Sequence, residues 1–173
     1  MDLRYVEDFL YHGIRNPNSL KKLESIFKDR CIKCGKNIEG YSNYSDNCNM
    51  GEYVSLLRYS EDIGFEVFIK ENISLIISDD IEYKETTYLP FYKWENKKDS
   101  GCYSYLNGEL FSKDIPLSKV VGIGLPYSNL KGMNIDVDRL YLDIKLLMDK
   151  YEISLPIVDT SRYNISLDKV KRI

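Results

Sequence analysis

The chain has 173 residues, a net charge of −3 and hydrophobic residues at 43% of its positions, which suits one domain over residues 1–173 and excludes a disordered segment. The net negative charge argues against a broad basic face that binds duplex DNA, although a local basic patch is compatible with this charge. Because the sequence has no run of about eighteen apolar residues and no apolar signal-peptide core, we expect a cytoplasmic protein without a membrane partner.

The first third of the chain predicts a strand, a helix and a long loop. The apolar run Phe9–Tyr11 predicts a strand that ends in His12 and Gly13 and leads into a turn with Arg15-Asn16-Pro17-Asn18. Apolar residues at helical spacing over Ser19–Lys28 predict a helix, with Asn18 or Ser19 as its N-cap. The polar residues from Asp29 to Gly51 have no periodicity and predict a long loop.

The rest of the chain predicts several more strands and one late helix. The segment Phe65–Ile69 is compatible with either a strand or a helix, and the helix begins at Asp136 as its cap. The predicted strands or extended segments are Tyr53–Leu57, Ile73–Ile77, Tyr103–Phe111, Val120–Leu125 and Leu155–Val158. Since strands do not alternate regularly with helices, a doubly wound sheet is not favoured. We expect an α+β fold with a split antiparallel or mixed sheet and flanking helices.

The cysteines leave a metal site and free thiols as alternatives. Cys31 and Cys34 form a CxxCG motif of the kind that often begins a zinc site. A second pair at similar spacing is missing, because Cys48 and Cys102 are isolated and His12 is the only histidine. The pattern therefore favours free, partly buried thiols in a reducing compartment over zinc, and we expect no metal.

Common catalytic motifs are missing from the sequence, which contains no P-loop, no HExxH and no GxSxG. Three local features carry the remaining chemistry. The first is His12 followed by Gly13 at the end of a strand, and the second is Ser55 in a strand with Tyr59 nearby. The third is Asn107-Gly108-Glu109, with Ile115-Pro116 following six residues later; a strand would place Asn107 and Glu109 on one face.

In order and approximate spacing these features resemble the ADP-ribosyltransferase superfamily, and in particular its His-Tyr-Glu type and its small bacterial or phage toxin-type members. In that family a first core strand ends in His or Arg before a Gly, a second carries Ser or Tyr, and a late strand carries a catalytic Glu. The resemblance spans roughly residues 9 to 125. It implies an ADP-ribosyltransferase-like fold and an enzyme that uses NAD as its substrate, a glycosyltransferase in chemical terms.

The resemblance also implies roles for individual residues. Glu109 would stabilise the positive charge that develops on the ribose when nicotinamide leaves, and Asn107 occupies the position that steers the acceptor. The NAD-binding residues would be His12, Gly13, Ser55 and Tyr59, with the Tyr59 ring stacking on nicotinamide. Asn107 replaces the usual Glu or Gln, which argues against modification of protein arginine.

The function implied is ADP-ribosyl transfer, or NAD glycohydrolysis, with release of nicotinamide. The acceptor, whether protein or nucleic acid, stays open, and an antitoxin or immunity protein is a further possible partner for a toxin-type member. The alternative is a non-catalytic α+β interaction module, such as a phage or toxin-system accessory protein. On that alternative His12 is a hydrogen-bonded structural histidine, Ser55 is an ordinary strand serine and Glu109 is an acid at a strand edge.

Overall fold

A mixed β-sheet of eight strands organises the molecule, which is described here from a computed structural model covering residues 1–34, 53–61, 63–85 and 109–170. From one edge to the other the strands are β10 (Ile165–Ser166), β9 (Ile157–Asp159), β8 (Val120–Leu125), β4 (Ile73–Ser78), β1 (Phe9–Ile14), β3 (Val54–Arg58), β6 (Glu109–Ser112) and β5 (Lys84–Glu85). Only β8 and β9 are parallel, and every other adjacent pair in the sheet is antiparallel. A separate two-stranded ladder joins β2 (Cys31–Ile32) to β7 (Ile115–Pro116).

Helices cover the sheet and connect its strands. They are α1 (Ser19–Asp29), α2 (Ile63–Phe68), α3 (Tyr127–Gly132), α4 (Val137–Lys150) and α5 (Leu167–Val170), with 3-10 turns at Val6–Asp8 and Leu117–Lys119. The Asp136 side chain accepts a hydrogen bond from the Arg139 backbone amide at 3.0 Å, so it caps α4 as its sequence position predicts. Among these helices none combines the length and the apolarity needed to cross a lipid bilayer.

Two apolar clusters lie on the two faces of the sheet. Alternation along β1 places Leu10 and Ile14 in the larger cluster, with α1 and α4, and Phe9 and Tyr11 in the smaller one, with α2. This explains why Phe9, Leu10 and Tyr11 are apolar in succession, since β1 is central and covered on both faces. The same alternation turns the His12 side chain toward the larger cluster and leaves Gly13 on the face of Tyr11.

The mixed α and β composition predicted from the sequence is confirmed, and so are the strand at Val120–Leu125 and the late helix. The helix predicted over Ser19–Lys28 is confirmed within one residue, and the ambiguous segment near Phe65 is helical. His12 and Gly13 lie near the end of a strand as predicted, since β1 ends at Ile14. The loop predicted from Asp29 is wrong at β2. This strand forms because it pairs with β7, which is distant in sequence, so the local sequence does not predict it.

Candidate functional site

The three sequence features that resemble a catalytic set fall on adjacent strands. His12 and Gly13 lie in β1, Ser55 lies in the neighbouring β3, and Glu109 begins β6 on the far side of β3. In register, Tyr11 pairs with Leu57 and Leu57 pairs with Glu109. The backbones of β1 and β6 are therefore two strand spacings apart, or about 10 Å.

The sheet opens beside His12. The ladder between β1 and β3 covers two residue pairs, whereas the ladder between β1 and β4 covers all six residues of β1. Where β1 and β3 stop pairing, the imidazole of His12 bridges them through Nδ1, which lies 2.9 Å from the backbone oxygen of Ser55. A side chain thus takes the place of a ladder hydrogen bond, and the sheet is split at this point.

This hydrogen bond defines the protonation of His12. A carbonyl oxygen only accepts, so Nδ1 carries the proton and donates it, which leaves Nε2 of the neutral ring with an acceptor lone pair. Burial holds the pKa of His12 below its usual 6.5, and the bond to Ser55 opposes that shift only in part. At neutral pH the ring is therefore an uncharged acceptor that a hydroxyl group can donate to.

A cleft of about 700 Å³ adjoins His12 between β1, α1 and β2. Its size is that of a site for a cofactor or a drug-sized ligand. Among the described residues that line it, four side chains are cationic and one is acidic: Arg15, Lys22, Lys28 and Lys33, with Asp29 as the acid. Lys33 forms an ion pair with Asp29 at 3.0 Å, and the described lining of the cleft carries an excess of positive charge, which suits an anionic ligand.

Gly13 lines the same cleft but also has a packing reason to be glycine. A Cβ built on Gly13 would lie 2.7 Å from the backbone oxygen of Phe68, closer than real Cβ atoms approach. The C-terminal end of α2 can therefore lie against β1 only because the side chain is absent. The sequence predicts that a ligand contacts the Gly13 backbone. Such a ligand would have to approach from the cleft.

Ser55 and Tyr59 are not brought together with His12 through their side chains. Alternation along β3 places the Ser55 hydroxyl on the face of Leu57, opposite the His12 ring, so the contact between the two residues runs through the Ser55 carbonyl. The Tyr59 ring packs edge-on against Phe65 with centroids 5.3 Å apart. It lines a different, smaller cavity of about 120 Å³ that it shares with Tyr11 and Tyr163.

Of the two predicted catalytic residues, Asn107 and Glu109, the structure describes only the backbone of Glu109. Glu109 is the first residue of β6, and its backbone pairs with Leu57 of β3. Asn107 lies outside the described residues, as do Cys48 and Cys102.

Cys31 lines the cleft beside α1, and burial raises the pKa of its thiol, which keeps it protonated at neutral pH. Within the ranges that the structure describes, no three metal-ligating side chains come together.

The basic cleft is a candidate functional feature that the sequence analysis did not predict. The signal for it was present, because the segment from Arg15 to Lys33 holds four lysines and two arginines against Glu24 and Asp29. The net charge of the whole chain is negative, so the overall composition does not reveal this local excess of lysine and arginine. Only the packing of α1 alongside β1 shows that four of these cations share one recess with His12: Arg15, Lys22, Lys28 and Lys33.

Comparisons with known proteins assign no family to the chain. No protein-family model matches the sequence, and no curated protein matches it. The resemblance noted in the sequence therefore rests on the short motifs around His12, Ser55 and Glu109, and what it implies is treated below as a proposal.

Proposed function

We propose that the chain has an ADP-ribosyltransferase-like fold, binds NAD in the cleft beside His12 and cleaves the bond between nicotinamide and ribose. The observation that carries the proposal is the position of His12, which lies where β1 and β3 stop pairing, lines a basic cleft, and is two strands from the start of β6 at Glu109. An enzyme of this kind would work in the cytoplasm, where NAD is available.

The residues around the cleft suit NAD as a substrate. The recess of about 700 Å³ is large enough for a dinucleotide-sized ligand, and its lysines and arginine suit the two negative charges of a diphosphate. The Nε2 lone pair of His12 can accept a hydrogen bond from a ribose hydroxyl. Gly13 offers backbone groups to the carboxamide of nicotinamide.

In the proposed reaction the glycosidic C–N bond breaks and nicotinamide leaves as a neutral molecule with the bonding electron pair. The ribose then carries positive charge at C1′, which the Glu109 carboxylate stabilises. An acceptor atom or a water oxygen donates an electron pair to C1′ and loses its proton to solvent. Ser55 positions His12 through its carbonyl oxygen. Tyr59 has no role here, since its ring lies at the smaller cavity.

The test replaces the proposed charge-stabilising group. Glu109→Gln keeps the size of the side chain and removes its negative charge, so we expect release of nicotinamide from NAD to fall at least about a hundredfold, as for loss of one electrostatic catalytic group. The matched control is Glu7→Gln, which makes the same change at an exposed site in the 3-10 turn before β1. Equal turnover in Glu109→Gln and the parent protein would exclude Glu109 from this role.

A non-catalytic binding module is the second candidate, and the Gly13 geometry favours it. The Phe68 carbonyl explains that glycine without any ligand. Titration of NAD during thermal unfolding separates the two functions, because binding to the folded state adds about 2.7 kcal/mol of stability at a hundredfold excess over Kd. An unchanged melting temperature together with no nicotinamide release would support the binding module.

A further inference from the structure

A second cavity, of about 430 Å³, lies at the N-terminal end of α1. Its walls come from the start of α1, the start of β4, and α4 with the segment that joins it to α3. No described residue lines both this cavity and the cleft beside His12. The volume falls within the range of sites that bind small molecules, so the chemistry of the lining decides which ligand would fit.

The start of α1 provides hydrogen-bond donors to this cavity. The first amides of a helix have no acceptor within the helix, and the N-cap residue Asn18 makes no side-chain hydrogen bond to them. The Ser19 side chain lines the cavity, is 9% exposed and has no hydrogen-bond partner among the described residues. A buried hydroxyl without a partner is costly, so a bound acceptor here would be stabilised. Because a helix N-terminus carries partial positive charge, a carboxylate suits this position.

The other charged side chains of the cavity are mainly acidic. Among the described residues that line it, three acids stand against one base: Glu71, Asp136 and Asp143, with Arg139 as the base. Arg139 donates from Nε to Asp143 at 3.1 Å, and the Asp136 carboxylate accepts from the Arg139 backbone amide. Glu71 forms no ion pair or hydrogen bond within the described part of the chain. Its carboxylate is therefore available to a cationic group of a ligand.

The remaining wall of the cavity is apolar and is formed by four side chains: Leu20, Ile73, Leu130 and Leu140. An apolar group of a ligand would leave water on entering this wall, which favours binding. A ligand that matches the whole lining must therefore carry a carboxylate, a cation and an apolar group within a short distance of one another.

We propose that this cavity binds a free α-amino acid with an apolar side chain. The carboxylate accepts hydrogen bonds from the Ser19 hydroxyl and the first amides of α1, the ammonium group pairs with Glu71, and the side chain packs against the apolar wall. A carboxylate alone would be repelled by the three acids, and an amine alone would leave the amides of α1 without an acceptor. The proposal does not depend on the proposed function, because the NAD cleft has other lining residues.

Isothermal titration calorimetry of the whole chain with leucine, isoleucine and phenylalanine tests the proposal on the unaltered protein. Leucinamide lacks the carboxylate, and glycine lacks the apolar side chain, so each is expected to bind at least about tenfold more weakly than leucine. The analogue 4-methylpentanoate lacks only the ammonium group and should also bind more weakly. The proposal is overturned if none of the three amino acids binds, or if leucinamide or 4-methylpentanoate binds as tightly as leucine.

Ser19→Ala locates the carboxylate. It removes the unpartnered hydroxyl at a position where alanine favours the helix, so we expect a folded protein whose affinity for leucine is about tenfold lower or less. The matched control is Ser25→Ala, which makes the same change in the same helix at a residue that lines the cleft of His12. Its affinity for leucine should equal that of the parent. An unchanged affinity in Ser19→Ala, or a loss in Ser25→Ala, would overturn the site.

Glu71→Gln locates the ammonium group. Removal of this exposed negative charge should weaken leucine binding about two- to fivefold, as for an exposed ion pair, and should not weaken binding of 4-methylpentanoate. Glu7→Gln makes the same change at an exposed residue outside the cavity and should alter neither affinity. An equal loss for leucine and 4-methylpentanoate in Glu71→Gln would overturn the assignment of Glu71 to the ammonium group.

Discussion

His12 combines two properties that make its protonation measurable. It is the only histidine of the chain, and its Nδ1 is held by the Ser55 carbonyl while burial lowers its pKa. A single imidazole signal in a pH titration therefore reports directly on this site. The hydrogen bond also explains why a ring on an otherwise apolar strand is tolerated, because its one donor is satisfied.

The stability of the protein should depend on pH through His12. Its pKa in the folded state lies below the ordinary 6.5 of the unfolded chain, so the unfolded chain binds more protons as the solution is acidified. The contribution of the neutral His12 ring to the free energy of unfolding is therefore fully present above pH 6.5. We expect the free energy of unfolding to fall as the pH drops from about 6.5 to 5, where carboxylates of ordinary pKa are still largely ionised.

Denaturant unfolding across that pH range measures the effect, and His12→Gln is the comparison. Glutamine has an amide that can donate to the Ser55 carbonyl but no group that titrates in this window. The decline between about pH 6.5 and 5 should therefore be absent in the variant. An equal decline in both proteins would mean that the His12 pKa is not lowered in the folded state.

At the scale of elements, the approach of α2 to β1 depends on one missing side chain. Gly13→Ala puts a Cβ 2.7 Å from the Phe68 backbone oxygen, and a backbone carbonyl cannot rotate away as a side chain can. We expect a loss of about 1–3 kcal/mol in the free energy of unfolding, typical of overpacking. Chemical denaturation measures it.

The matched substitution for this prediction is Gly132→Ala at the end of α3. A Cβ at Gly132 meets no atom within 4 Å, and alanine favours a helical backbone more than glycine. Its free energy of unfolding should stay the same or rise by up to about 1 kcal/mol. A Gly13→Ala variant as stable as Gly132→Ala would show that α2 shifts away from β1 freely.

Periodicity predicted the elements whose apolar pattern is local, and missed those that depend on distant partners. The stripe of α4 and the cap at Asp136 lie within one stretch of sequence and were predictable. The ladder between β2 and β7 was not predictable, because each strand has only two residues and the two strands are distant in sequence. The short helix α3 follows Pro126 and has too few residues for an apolar period to be visible.

The candidate site likewise has features that the sequence predicts and features that depend on the whole fold. The strands that would carry it were identified from short motifs, and their adjacency in the sheet is a product of the whole fold. The faces were not predictable, because they depend on register: Tyr59 lies at the smaller cavity and the Ser55 hydroxyl on the face opposite His12. The basic cleft depends on how α1 packs beside β1, which no pattern within α1 records.

At the scale of the whole molecule, Asn164 joins both ends of the described chain. Its side-chain amide donates to the Leu3 backbone oxygen and to the Tyr11 hydroxyl, each at 2.8 Å, and it is 3% exposed. The Tyr11 hydroxyl in turn donates to the Val6 carbonyl, and burial raises the pKa of Tyr11 to about 12, which keeps that donor proton in place. The N-terminal segment, the central strand and the segment before β10 are thus held by one side chain.

Two substitutions separate the side chain of Asn164 from its backbone, which has a φ of 56°. Asn164→Gly adopts that φ without strain but leaves the Leu3 oxygen and the Tyr11 hydroxyl short of a donor, so we expect a loss of about 1–3 kcal/mol in the free energy of unfolding. Asn164→Ala adds the cost of a left-handed backbone, about 1 kcal/mol more. Because the three segments are joined at one buried point, far-UV and near-UV circular dichroism should follow a single shifted transition in both variants. Two separate transitions, or a glycine variant as stable as the parent, would show that Asn164 does not couple the ends of the chain to the sheet.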